Sequence, residues 1–119
     1  MARALIVEDE PLIRELAAHY LREAGYEVCD VAVAEDGLAV LHQDRNWDVL
    51  FADIAMPGAV DGWELGQMAK LLVPHLGVIY ASGKVGGVAL SDREAFLEKP
   101  YFYEDIQKAL EAVAPRALH

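Results

Sequence analysis

Cysteine occurs once in the 119 residues, as Cys29, so no disulfide can close within the chain. In its apolar stretch Cys29 reads as a small buried core residue and not as a reactive thiol. Positive charge is scarce: ten Lys and Arg against twenty Asp and Glu leave a net charge of −10. That deficit argues against a non-specific nucleic-acid or anionic-membrane binder, since both need positive charge at the contact. Long apolar runs are missing too; none approaches the ~18 residues of a transmembrane helix. The opening Met1–Val7 meets Glu8 at once, too early for a signal peptide, and a cytoplasmic protein is expected. Nothing is repetitive, linker-like or Gly/Ser-rich, so one domain spanning 1–119 is expected, with no room for an output domain after the last helix.

What is present is apolar mass, 55% of residues, in short runs that alternate with helix-period segments. Arg3–Glu8, Glu27–Ala32, Asp48–Asp53, Leu76–Ala81 and Glu94–Glu98 read as strands. Three of them are almost continuously apolar, as parallel strands covered on both faces must be. Leu12, Ile13, Leu16, Ala17, Tyr20 and Leu21 recur at helical spacing, and Gly25 stands where a C-terminal cap glycine belongs. Glu35–Gln43, Gly62–Val73 and Phe102–Val113 supply further helices. The alternation implies right-handed crossovers and a doubly wound parallel α/β sheet.

In such a sheet ligands sit outside the carboxyl ends of the strands. The first strand ends in Glu8-Asp9-Glu10, the third in Asp53, the fourth at Ser82 and the fifth at Lys99. Clustered carboxylates repel one another unless a hard cation joins them, and Mg²⁺ favours one or two carboxylates with water and phosphate oxygens. An aspartate beside that cation can attack phosphorus. Lys99 and Ser82 can then stabilise the phosphoryl oxygens.

The segments Leu5–Pro11 (LIVEDEP), Val49–Pro57 (VLFADIAMP), Ala81–Gly83 (ASG) and Lys99-Pro100 resemble the response-regulator receiver domain of two-component signalling. The 44-residue interval between Asp9 and Asp53 matches that family as well, and the likeness covers essentially the whole chain. The resemblance implies a flavodoxin-like five-stranded sheet of order 2-1-3-4-5. It implies Asp53 as phosphoacceptor, aided by Lys99 and Ser82, and a cis Lys99–Pro100 bond. Mg²⁺ would be held by Asp9, Asp53, the Ala55 carbonyl and, through water, Glu8; no organic cofactor is expected. The phosphoryl donor would be a histidine kinase or phosphotransfer protein, and the domain would catalyse its own phosphorylation and dephosphorylation without being an independent enzyme. Ser82 and Phe96 would form the switch read by a downstream protein. Neither nucleic acid nor membrane is an expected partner, and a homodimer is left open.

Two segments depart from the family pattern. The loop Met56–Gly62 is one residue longer than usual. Gly83–Arg93 leaves eleven residues, three of them glycine, for a loop and the fourth of five helices, which is expected to be short, distorted or absent. Both features resemble stand-alone or hybrid-kinase-linked receivers. Ala55 and Lys84, two residues after Asp53 and Ser82, are expected to alter phosphoryl hydrolysis. A haloacid-dehalogenase-type phosphohydrolase needs a second acid where Ala55 stands, and Gly77…Gly83-Lys84 fails the spacing of a phosphate-binding loop. A receiver-fold module that binds partners without phosphorylation is the remaining alternative, as is a receiver segment of a hybrid histidine kinase. Trp47 and Trp63 read as packing residues, and the four histidines as surface residues.

Overall fold

The computed structural model describes residues 1–56, 58–83 and 92–113. Five strands, β1 (Arg3–Val7), β2 (Glu27–Val31), β3 (Val49–Asp53), β4 (Gly77–Ser82) and β5 (Glu94–Glu98), pair in parallel in the order β2-β1-β3-β4-β5. Among the described residues there are four helices: α1 (Pro11–Glu23), α2 (Ala34–Gln43), α3 (Gly62–Leu72) and α4 (Tyr103–Val113). The helix expected between the fourth and fifth strands falls on residues 84–91, which with Lys84 lie outside the described residues. Among the described residues no helix is long and apolar enough to cross a membrane.

Strand alternation divides the core into two layers. Ala4, Ile6, Phe51, Ile79 and Leu97 face Ala17, Leu21, Ile106 and Leu110 of α1 and α4. Leu5, Val7, Leu50, Val78 and Tyr80 face Leu41, Leu65 and Ala69 of α2 and α3. This is why the central strands read as unbroken apolar runs. Edge strand β2 is only partly covered, and Cys29 is half-buried there, less enclosed than expected.

The apolar stripe of α1 also needs correction. Ala17, Ala18 and Leu21 are buried, whereas Leu12 is 77% exposed and Leu16 40% exposed. The helix rests on its two alanines, which allow close approach to the sheet, and the wider apolar arc turns outward. Its C-terminus is a Schellman motif: Gly25 has φ +94°, its N–H donates to the Arg22 carbonyl, and the Tyr26 N–H donates to the Leu21 carbonyl. Trp47 is buried, with Nε1 donating to the Asp44 carbonyl and the Arg3 guanidinium 4.0 Å from its ring centroid. His19, His42 and His75 are exposed.

Helix α3 begins with a capping box between Asp61 and Glu64. Its first residue, Gly62, lies so close to β3 that a Cβ there would stand 1.9 Å from the Asp53 carbonyl oxygen. Only glycine permits this approach, and it seats the helix directly behind the end of β3.

Candidate functional site

Parallel register brings the carboxyl ends of β1, β3, β4 and β5 to one edge. Asp53 ends β3 and lies beside Ala81 of β4, with Ser82 next along. Glu8 and Asp9 follow β1 directly. Alternation points Glu8 and Asp53 to the α1/α4 face, above Ile6 and Phe51.

Lys99 organises the pocket. Its Nζ donates to Glu8 Oε1 at 2.9 Å and to Asp53 Oδ2 at 2.8 Å. The second Asp53 oxygen accepts the Ala55 N–H at 3.1 Å, and the second Glu8 oxygen accepts the Glu10 N–H at 3.1 Å. Glu8 is fully buried and Asp53 nearly so, while Asp9 is exposed. One carboxylate oxygen from each of Glu8, Asp9 and Asp53 lies within 4.8 Å of the others. Burial pushes the Glu8 carboxyl above its usual range, against the opposing pull of Lys99. Burial alone would lower the Lys99 ammonium, but its hydrogen bonds to Asp53 and Glu8 outweigh that and keep it strongly protonated.

Ser82 is half-buried at the end of β4, where its carbonyl accepts the Lys99 N–H at 2.8 Å. The Lys99–Pro100 peptide is cis, as the resemblance implied. Ala55 is exposed and meets Asp53 through its amide. Phe96 stands apart from this cluster, opposite Tyr80 on the α2/α3 face and half-buried against that core layer.

Two residues near the site carried no sequence signal. Arg14, in the second turn of α1, donates through Nη1 to the Glu8 carbonyl at 3.0 Å. Tyr101 is buried edge-on against Phe51, at 5.6 Å between centroids, with no hydrogen-bond partner for its hydroxyl. Burial, then the nearby negative charge of Glu8 and Asp53, raises its phenol pKa. The six-residue offset from Glu8 to Arg14 belongs to no recognised pattern, and Tyr101 looks like any aromatic after a strand.

Three clustered carboxylates and one ammonium leave a surplus of negative charge, a donor set suited to a hard divalent cation. A nucleophilic Asp53 oxygen beside such a cation, with an ammonium at hand, is chemically equipped for phosphoryl transfer.

The family profile described as "Response regulator receiver domain" matches residues 4–111. Response regulator protein FleR of Pseudomonas aeruginosa is 32% identical over 122 residues, covering 98% of this chain and 25% of FleR, so the chain spans about a quarter of that curated relative. The receiver domain of the hybrid histidine kinase CckA is 32% identical, with TM-score 0.78 over 92% of this chain and 96% of that one. The response regulator TrrA of Thermotoga maritima, solved in complex with Mg²⁺-BeF, is 27% identical, with TM-score 0.82 over 95% of this chain and 99% of that one. With five strands in the order 2-1-3-4-5 and an acidic cluster at their carboxyl edge, this chain belongs to the response regulator receiver domain family.

Proposed function

We propose that the chain is a phosphoacceptor in two-component signalling and that Asp53 takes the phosphoryl group from the phosphohistidine of a histidine kinase or phosphotransfer protein. The observation that carries this is the Lys99 ammonium bridging Asp53 and Glu8, with Asp9 completing the cluster. Glu8, Asp9 and Asp53 are the donors for Mg²⁺, with the Ala55 carbonyl as a further ligand. When bound, the cation would neutralise charge on the phosphoryl oxygens and align them with the nucleophile.

The chain's own residues do the rest. Asp53 is held by the Ala55 amide at Oδ1 and by Lys99 at Oδ2, which fixes its attack direction. The Asp53 O–P bond forms as the P–N bond of the donor breaks, and the imidazole nitrogen keeps the electron pair and takes up a proton. Lys99 then turns from carboxylate to phosphoryl oxygen, and Ser82 donates its hydroxyl to another. Ser82 moves toward the phosphoryl group as it donates, and Phe96, which has no hydroxyl, answers that movement only by repacking beside Tyr80. This repacking is the switch that a downstream protein reads.

The test uses a radiolabelled small-molecule phosphodonor with Mg²⁺. Wild type is expected to take up an acyl-phosphate label that is released by alkali and by hydroxylamine, and Asp53→Asn is expected to take up none. A wild type that stays unlabelled, and whose spectrum does not respond to Mg²⁺ with beryllofluoride, favours the module that binds partners without phosphorylation.

A further inference from the structure

Helix α1 leaves the acidic turn without a conventional cap. Its N-cap residue, Glu10, makes no side-chain capping bond, in contrast to the capping box that starts α3. The turn is tied down by the Arg14 side chain, whose Nη1 donates back to the Glu8 carbonyl at 3.0 Å. Its Nε lies 3.8 Å from Asp30 Oδ2 on the neighbouring strand β2.

We propose that Arg14 is a positioning residue that holds the Glu8–Asp9 peptide in the orientation that brings the Asp9 carboxylate to Glu8 and Asp53. This rests on the reading of those three residues as a Mg²⁺ site. The peptide unit is planar, so fixing the Glu8 carbonyl also fixes the plane that holds the Asp9 N–H and the Asp9 Cα, the atom that carries the side chain. Glu8 and Asp53 are buried and separately held by Lys99. Asp9 is the exposed member of the cluster, so its position depends most on the backbone beneath it. Asp30 offsets the Arg14 charge, so Arg14 acts by orienting a dipole and not by neutralising the pocket.

The experiment is an NMR titration of isotope-labelled protein with MgCl₂ alone, with thermal unfolding of the metal-free variants in parallel. The Arg14 side chain is 24% exposed, and the parallel unfolding curves separate a loss of metal binding from a loss of fold. Arg14→Gln is expected to weaken Mg²⁺ binding about tenfold, in line with loss of a residue that orients a metal ligand. Arg14→Lys, which keeps a long donor, is expected to recover most of that loss. Asp30→Asn leaves the bond to Glu8 in place while unmasking the Arg14 charge, and should lower the affinity by about twofold at most; a fall as large as that of Arg14→Gln would show that Arg14 acts through its charge and would overturn the proposal. A residue that merely braced the fold would lower the unfolding midpoint and leave the Mg²⁺ affinity unchanged. If wild type saturates and Asp9→Asn binds more weakly, but Arg14→Gln binds like wild type, the proposal is overturned and the metal site stands. If wild type shows no saturable response, the metal site itself fails and Arg14 has nothing to position.

Discussion

Glu8 and Glu94 are both glutamates with almost completely buried side chains, and they sit at opposite ends of the same sheet. Glu94, at the amino end of β5, accepts the Tyr80 hydroxyl at 3.0 Å and the Gln67 amide at 2.9 Å, with the Lys70 ammonium 3.7 Å away. Donors converge on one carboxylate, and Gly66 leaves room for the Tyr80 ring against α3. Glu8 shares its one ammonium with Asp53 and faces the Asp9 carboxylate as well. Burial alone therefore does not mark a functional acid. The distinguishing feature is charge left unmatched: Glu94 is satisfied by its own fold, whereas the Glu8 cluster keeps a surplus of negative charge that suits a cation.

Removing one cation from each end gives the widest separation. Lys99→Met leaves two buried carboxylates with no cation and is expected to cost about 3 kcal/mol. It should also abolish labelling of Asp53. Lys70→Met leaves Tyr80 and Gln67 donating to the buried Glu94, so it should cost less, about 1–2 kcal/mol, with labelling intact. Urea unfolding of both variants, alongside phosphodonor labelling, measures the contrast. Equal losses of stability would show that the two ends are held alike.

A narrower probe keeps every charge and removes one hydroxyl. Tyr80→Phe deprives buried Glu94 of a donor and is expected to cost about 2 kcal/mol. Labelling should stay within about twofold of wild type, because Tyr80 lies outside the atoms that meet the phosphoryl group. A large fall in labelling would make the Tyr80–Glu94 end part of the reaction centre.

The acidic end should also betray itself in its pH dependence. Glu8 titrates above its ordinary value of 4.5 in the fold, chiefly because it is buried. Above that value the folded protein retains the Glu8 proton that the unfolded chain has lost. Its contribution to stability is therefore fully present in acid and lost as pH rises through the folded pKa. In metal-free buffer, the stability of wild type relative to Glu8→Gln should fall as pH rises from 4.5 upward. A rising difference would mean that Lys99 more than offsets the burial of Glu8.

The carboxyl edge was legible in the sequence because its logic is periodic. Continuous apolar runs mark covered parallel strands, and parallel strands deliver Glu8, Asp9, Asp53, Ser82 and Lys99 to one edge wherever the loops wander. The rest was illegible for reasons of distance and degeneracy. Glu94 draws donors from 14 and 27 residues away, and no local pattern pairs it with Tyr80 or Gln67. The stripe on α1 was apolar over a wider arc than the sheet covers, so spacing alone left Leu12 and Leu16 on the wrong side. Arg14 is one basic residue on a helix until the fold brings the Glu8 carbonyl beneath it.

Tyr101 supplies the mildest test, since it is the opposite case to Glu94: a buried hydroxyl with no partner. Its ring contributes apolar contact with Phe51, and its oxygen is buried with no protein partner. Phenylalanine keeps the ring and drops the unsatisfied group, so Tyr101→Phe should be neutral or stabilise the metal-free protein by up to about 1 kcal/mol. The variant sharpens the comparison because the hydroxyl lies in the field of Glu8 and Asp53, the charges that help raise its pKa. If Tyr101→Phe instead destabilises the protein, the hydroxyl is bonded in solution, and a water reaching from it toward the carboxylates becomes part of the acidic end. Thermal unfolding with and without Mg²⁺ separates the outcomes: an idle hydroxyl gives the same shift in both conditions, and a bridging one gives a shift that the cation changes.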